Sequence, residues 1–519
     1  MTDSLKGTSI IGFARGSDHN ATLHGVNPAT GDALEPSYSP ASPDELAQAL
    51  SLAGSAATPF SETTPTSRAA FLSAIASEIE NSIEELAARG PLETGLPEAR
   101  IRGEAGRTCG QLRMFAGLIE EGSWVHARID HAIADREPIP KPDLRCMLRP
   151  LGPVAVFCAS NFPLAFSTAG GDTASALAAG CPVIVKAHRS HPGMAEIAGR
   201  CIQKAAQDNG MPEGTFSLLY GSQDLGQALV ESPVIQAVGF TGSQAGGTAL
   251  MKIAAARPQP IPVYAEMSSI NPVIILPAAL AEKGEELAEG LFGSLMLGAG
   301  QFCTNPGLVF LPENGTEAFL QKITELVSAG TGATMLNAHT ASAYQERARE
   351  LKESTGVITL ALAIGEGAPA VFMANQETFS NDLSLQDECF GPATLIVTGS
   401  PENLPSVLAR LEGQLTGTIH ATEAELSENT ALIQSLQNRV GRLIFNGFPT
   451  GVEVCPSMIH GGPYPATSDG RSTSVGTLAI ERFTRPISWQ DFPDAALPAE
   501  LQEANPLGIK RIVNNTHTS

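Results

Sequence analysis

Positive charge is scarce in this sequence: 32 Lys and Arg stand against 54 Asp and Glu, for a formal net charge of −22. So acidic a surface repels nucleic acid and anionic membranes, and any anionic ligand must be met by individually placed Arg or Lys. No two of the eight cysteines have C-x-x-C spacing, and several lie in apolar strings such as Val154-Ala155-Val156-Phe157-Cys158. That sets aside a disulfide framework and fits reduced, buried thiols in a cytoplasmic protein. No apolar run approaches the ~20 residues of a membrane span, and the N-terminal string MTDSLKGTSIIGFARG has no continuous apolar stretch, so neither span nor signal peptide is expected. There is no G-x-G-x-x-G, which excludes the usual dinucleotide fingerprint. Nor is there an internal repeat.

What is present suggests more than one core, since the chain of 519 residues is too long for one. Ser42-Pro43-Asp44-Glu45 is a capping box that should open a helix through Leu52. Ile75, Ile79, Ile83 and Leu86 share one helical face, which Gly90 can close. A further helix is expected over 98–120. From residue 150 short apolar runs (Val154–Cys158, Val183–Lys186, Phe216–Leu219, Ala237–Phe240, Pro262–Ala265) alternate with helical patterns, and a second series begins at Val273 and continues through Gly307–Phe310, Ala370–Phe372 and Thr394–Val397. Such alternation predicts an α/β protein with parallel, doubly wound sheets. The Gly- and Pro-rich stretch 446–470 reads as a functional loop.

Several strings can carry chemistry. Gly300-Gln301-Phe302-Cys303 sets a thiol on a glycine-loosened turn after an apolar helix, although a lone Cys is most often simply buried. Tyr264-Ala265-Glu266 ends a strand expected to be central with a carboxylate, which is rarely buried there unless paired or functional. Asn161-Phe162-Pro163 offers a neutral donor, though such a string is also a common turn. Lys186 ends a strand at the sheet edge where ligands bind, or is an ordinary solvated lysine. Phe240-Thr241-Gly242-Ser243 ends a strand and caps a helix whose N-terminus can take a phosphate. His188 and His191 lack acidic or thiol company, so they read as a solvated loop, and no metal site is expected.

Taken in order, N-F-P at 161–163, Lys186, F-T-G-S at 240–243, Glu266, G-Q-x-C at 300–303 and E-x-F-G-P at 388–392 resemble the aldehyde dehydrogenase superfamily over nearly the whole chain. The interval 303 − 266 = 37 is close to the family's usual one. The resemblance implies Cys303 as nucleophile, Asn161 as oxyanion donor and Glu266 as the base that activates water. It implies Lys186, Gly242 and Ser243 at the adenosine ribose and phosphate, and Glu388 with Phe390 at the nicotinamide ribose. It implies two doubly wound domains, the cofactor-binding one from 1–134 and 152–274 and the catalytic one from 275–467. A small β segment from 135–151 and 468–500 would join a homodimer or homotetramer.

Two positions depart from the family's pattern. Met267-Ser268-Ser269 replaces its usual Leu-Gly-Gly, and Arg189 stands where Glu is common. Arginine can pair with a 2′-phosphate, so NADP is expected over NAD. Val452–Cys455 and His460–Thr467 resemble the branch that oxidises 2-oxoglutarate semialdehyde, with fatty aldehyde dehydrogenases as near relatives. On the helix expected over 98–120, Gly103, Arg107, Gln111 and Met114 share a face. There Arg107 and Gln111 would clamp a carboxylate, or Arg107 would simply pair with Glu104; Phe162 and Phe166 would add apolar wall. Rival readings are a CoA-acylating dehydrogenase, which Glu266 opposes, a silent binding protein of the same fold, and a Cys–His hydrolase, for which His460 has no supporting spacing.

Overall fold

The computed structural model describes residues 5–518. Its first large sheet runs, in spatial order, Val263–Glu266, Ala237–Thr241, Val154–Phe157, Val183–Lys186, Phe216–Leu219, Ile10–Ile11 and Ala14–Arg15. The first five are parallel and the N-terminal pair closes one edge antiparallel. Strand order reverses between Val154–Phe157 and Ala237–Thr241, and such a switch point opens a crevice at the strands' carboxyl ends. The second sheet runs Ile358–Leu362, Ala370–Asn375, Ala393–Thr398, Leu308–Leu311, Val273–Ile275, Gln414–His420 and Val440–Phe445, with only the first strand antiparallel. A smaller sheet joins Thr484–Gln490, Leu144–Pro150, Arg128–Asp130, Arg511–Val513 and Thr516–Thr518. It thus draws strands from outside 135–151 and 468–500 as well.

The α/β expectation holds, with corrections in detail. Val263–Glu266 is not central but the outer strand of its sheet. Its free edge is covered by the long loop instead: Met267 N–H donates to Ala466, Ser468 N–H to Ala265, and Glu266 pairs with Thr467. Covering an open edge removes a row of unpaired backbone groups, which gives the 446–470 stretch a structural reason for its shape. The helix read through Ile75 and Leu86 is two helices, Pro65–Asn81 and Ile83–Thr94, broken at Ser82. Gly95, with φ +68°, ends the second one. Gly90 lies inside that helix, where an added Cβ would stand 2.7 Å from Ile101; it is there for close packing, not for capping. The first helix extends to Ser61, and Glu98–Glu121 matches its expected span within a residue. His191 is buried, its Nε2 against Ala159 O at 2.8 Å, rather than in a solvated loop. Among the described residues no helix is long and apolar enough to cross a membrane.

Candidate active site

Cys303 follows the helix Pro277–Met296 through a turn in which Gly298, Ala299 and Gly300 all have positive φ. At Gly300, φ +67°, a Cβ would sit 2.2 Å from the backbone of Gly391, so only glycine lets the two loops pass. The turn is tied from below. Buried Asn271, itself left-handed at φ +48°, donates Nδ2 to the carbonyls of Cys303 at 2.8 Å and Asn305 at 2.9 Å. Its Oδ1 accepts from Ser269 at 2.9 Å and Thr416 at 3.0 Å. These bonds tie the thiol's backbone to the second sheet through Thr416.

Around the sulfur the structure gathers residues distant in sequence. His460 Nε2 lies 3.4 Å from Cys303 Sγ and 2.9 Å from Glu266 Oε1. Ser474 Oγ donates to Glu266 Oε2 at 2.6 Å. Burial alone would raise the Glu266 pKa, but the imidazole and the hydroxyl hold it below the ordinary carboxylate value. Burial and the adjacent Glu266 push the Cys303 thiol well up, so the sulfur rests protonated beside an ionised base. His460 Nδ1 is buried without a partner. With Glu266 Oε1 as its acceptor, Nε2 carries a proton and donates it to the carboxylate. In a hydrolase triad the acid would hold Nδ1 while Nε2 served the nucleophile. Here one nitrogen meets both sulfur and carboxylate, which removes the Cys–His hydrolase reading. Asn161 Nδ2 donates to Gln301 O at 3.0 Å, bringing its amide to the cysteine turn with a second N–H to spare.

A cavity of about 330 Å³ opens onto Cys303, lined by Arg100, Arg107, Phe162, Phe166 and Phe302 among others. Arg107 lies 5.1 Å over the Phe166 ring, and its Nη1 and Nη2 are buried without any hydrogen bond. Glu104 is not its salt-bridge partner. That carboxylate accepts from the N–H groups of Leu164 and Ala165 and pairs with Arg100 at 3.4 Å. Gln111 does not line the cavity; it is buried next to Gly171, on which an added Cβ would meet its Nε2 at 2.8 Å. Arg113 points away and pairs with Glu80. Arg100, which sequence reasoning missed, lies over Phe162 at 4.4 Å and Phe302 at 5.0 Å. Its i, i+7 spacing from Arg107 was the available signal.

Of the expected cofactor residues, Lys186, Arg189, Gly242 and Ser243 lie at or just past the carboxyl ends of first-sheet strands, and Glu388 and Phe390 lie just before the Ala393–Thr398 strand of the second sheet. Ser243 and Gly242 are exposed, and Ser243 Oγ caps the helix Gln244–Ala256 by accepting from Gly246 N–H at 3.2 Å. Lys186 is half-buried, and its ammonium has no hydrogen-bond or ion-pair partner among the described residues; burial lowers its pKa. Arg189 is exposed nearby in sequence. An unpaired ammonium and an open helix N-terminus on one sheet edge fit a nucleotide's phosphate and ribose. Glu388 and Phe390 are half-buried. Burial pushes the Glu388 carboxyl up to about 7 against hydrogen bonds from Ser268 and the Ser269 backbone. The unusual Met267-Ser268-Ser269 string thus contacts Glu388 directly.

Two doubly wound sheets with a thiol, a carboxylate and an amide meeting between them define a class, and the sequence assigns it: the chain belongs to the aldehyde dehydrogenase family, whose model matches residues 14–403. It is an NAD(P)-dependent oxidoreductase acting on an aldehyde. Among its relatives, alpha-ketoglutaric semialdehyde dehydrogenase 2 of Azospirillum brasilense is 47% identical over 519 residues, 98% of each chain. Alpha-ketoglutaric semialdehyde dehydrogenase of Acinetobacter baylyi is 45% identical over 99% of each. The fold is shared by aldehyde dehydrogenase 21 of Physcomitrella patens, solved in complex with the reaction product succinate, at TM-score 0.80 and 20% identity, covering 94% of this chain and 99% of that one.

Proposed function

We propose that this enzyme oxidises 2-oxoglutarate semialdehyde (2,5-dioxopentanoate) to 2-oxoglutarate, with NADP preferred over NAD. The observation that carries the substrate is Arg107. A buried guanidinium with two unpartnered nitrogens faces the cavity that holds the thiol, and such a group is costly unless an anion meets it. A carboxylate at the far end of a short aldehyde supplies that anion bidentately. A fatty aldehyde would leave the charge unpaired. The relatives' names point to the same substrate.

Glu266 takes the thiol proton, and the thiolate adds to the aldehyde carbon. Asn161 Nδ2–H and the Cys303 N–H face the resulting oxyanion. A bound nicotinamide would supply the hydride acceptor for the tetrahedral carbon held on Cys303. A thioester then remains on Sγ. Glu266, after passing its first proton to solvent, deprotonates the water that hydrolyses the thioester. His460 and Ser474 hold the carboxylate ionised for both steps. An ionised base beside the sulfur favours water over CoA as acyl acceptor. Lys186, Gly242 and Ser243 would hold the adenosine ribose and phosphate, Arg189 the 2′-phosphate, and Glu388 with Phe390 the nicotinamide ribose. We further assign the enzyme to the cytoplasm and infer a homodimer or homotetramer built on the small sheet, with the cofactor domain built on the first large sheet and the catalytic domain on the second.

Steady-state kinetics with 2-oxoglutarate semialdehyde, succinic semialdehyde and a fatty aldehyde, each with both cofactors, test this. The highest kcat/KM should fall to the first. A fatty aldehyde turned over as efficiently would refute the assignment.

A further inference from the structure

The sequence contains no metal-ligand spacing, yet the fold builds a ligand set. The Cys303 thiol, a His460 ring nitrogen and a Glu266 carboxylate oxygen all lie within 4.8 Å of one another. We propose that these three residues bind a divalent cation of zinc's class, and that its occupancy reversibly blocks aldehyde oxidation. The blockade rests on Cys303 being the nucleophile; the binding does not.

Bond lengths of ~2.3 Å to sulfur and ~2.0–2.1 Å to nitrogen and oxygen, at tetrahedral angles, place the S and N ligands ~3.6 Å apart and the N and O ligands ~3.4 Å apart. The corresponding distances here are 3.4 Å and 2.9 Å. Those two edges open by about half an ångström or less to admit the ion, and the sulfur and the carboxylate oxygen, within 4.8 Å of each other, close on it. Charge favours it as well. The ion displaces the thiol proton, which would otherwise leave a thiolate buried beside the Glu266 carboxylate. A divalent cation cancels both charges. The thiolate selects zinc, cobalt or cadmium over magnesium and calcium, which prefer all-oxygen sites. Cys303 lines the cavity, which gives the ion a way in and a chelator a way to reach it.

The surroundings make the site exchangeable. Ser474 already donates to Glu266 Oε2, leaving Oε1 for the metal. Metallation moves the imidazole proton from Nε2 to Nδ1, where the protein offers no acceptor, and a histidine ligand without such a partner binds more weakly. Arg107, close enough to lower the thiol pKa, opposes an added cation. Aldehyde and metal then compete for one sulfur.

The test titrates the full-length, cofactor-free enzyme with Co²⁺ and follows the thiolate-to-cobalt charge-transfer absorption, then displaces the cobalt with Zn²⁺. One ion per chain should bind. Cys303→Ser should abolish the band, and His460→Gln should weaken binding by roughly tenfold or more. Cys455→Ser, which alters the neighbouring loop's thiol, should bind as the wild type does. Zn²⁺ should inhibit wild-type oxidation competitively with aldehyde, Mg²⁺ should not, and a chelator should restore full activity. A band that survives Cys303→Ser, or His460→Gln binding as tightly as the parent, overturns the site. Absence of binding in an enzyme whose oxidation still requires Cys303 removes the metal site and leaves the catalytic assignment standing. Binding at Cys303 in an enzyme that oxidises aldehyde without it does the reverse.

Discussion

Replacing Arg107 with Met should cost activity on carboxylate-bearing aldehydes while raising stability. The thioether keeps the apolar stem against Phe166 and deletes the buried guanidinium, whose Nη1 and Nη2 have no partner. Charge-assisted hydrogen bonds are worth about 1.5–3 kcal/mol, which converts to roughly 10- to 150-fold in kcat/KM. The loss should appear with 2-oxoglutarate semialdehyde and not with pentanal, an uncharged aldehyde of equal chain length. Stability should move the other way, because an unpaired buried charge is relieved, by about 1 kcal/mol. Glu104 does not lose its anchors, since Arg100 and the N–H groups of Leu164 and Ala165 still hold it. Parallel kinetics on the two aldehydes, with a thermal melt of each protein, decide the matter. Equal loss on both substrates would refute the clamp. Equal loss together with a lower Tm would show that Arg107 serves the fold.

Three further outcomes follow. His460→Ala removes the N–H that depresses the Glu266 pKa, so the acidic limb of the kcat–pH profile should move upward, with about tenfold lower kcat near neutrality; His460→Gln, which keeps a donor, should recover part of it, and superimposable profiles for all three proteins would refute the role. Arg189→Glu should shift preference toward NAD by roughly tenfold if the side chain meets a 2′-phosphate; an unchanged NADP/NAD ratio removes Arg189 from the cofactor site. Glu388 has its folded-state pKa raised to about 7, so its contribution is fully present below the ordinary carboxylate pKa and is lost as pH rises through 7. Glu388→Gln should therefore raise Tm more at pH 8 than at pH 5, and a pH-independent difference would contradict the raised pKa.

The parallel sheets were legible because doubly covered strands are continuous apolar runs between helical patterns. Val183–Lys186 and Phe216–Leu219 are found at the residues expected for them. Strand order was not legible, since an outer strand covered by a loop is as apolar as a central one, and Val263–Glu266 was misplaced for that reason. Gln414–His420 was not anticipated at all. Its Gln414, Thr416 and His420 are buried polar residues that break the apolar run of a doubly covered strand, and Gln414 and Thr416 find partners among Ser269, Ile270 and Asn271. The helix break at Ser82 was hidden because the Ile75–Leu86 periodicity runs across it. Cys303, Glu266 and Asn161 stood out through their local strings and their order. His460 did not, because it reaches Cys303 across 157 residues of chain, and no local pattern records that contact.

In the mechanism proposed above, the aldehyde is oxidised while covalently bound to Cys303. Rapid acid quenching of the enzyme during turnover, followed by peptide mass spectrometry, measures this directly. An acyl adduct on the Cys303 peptide should accumulate in Glu266→Gln and be absent in Cys303→Ser, which should not oxidise aldehyde. Turnover by Cys303→Ser, or an adduct on another cysteine, would contradict it.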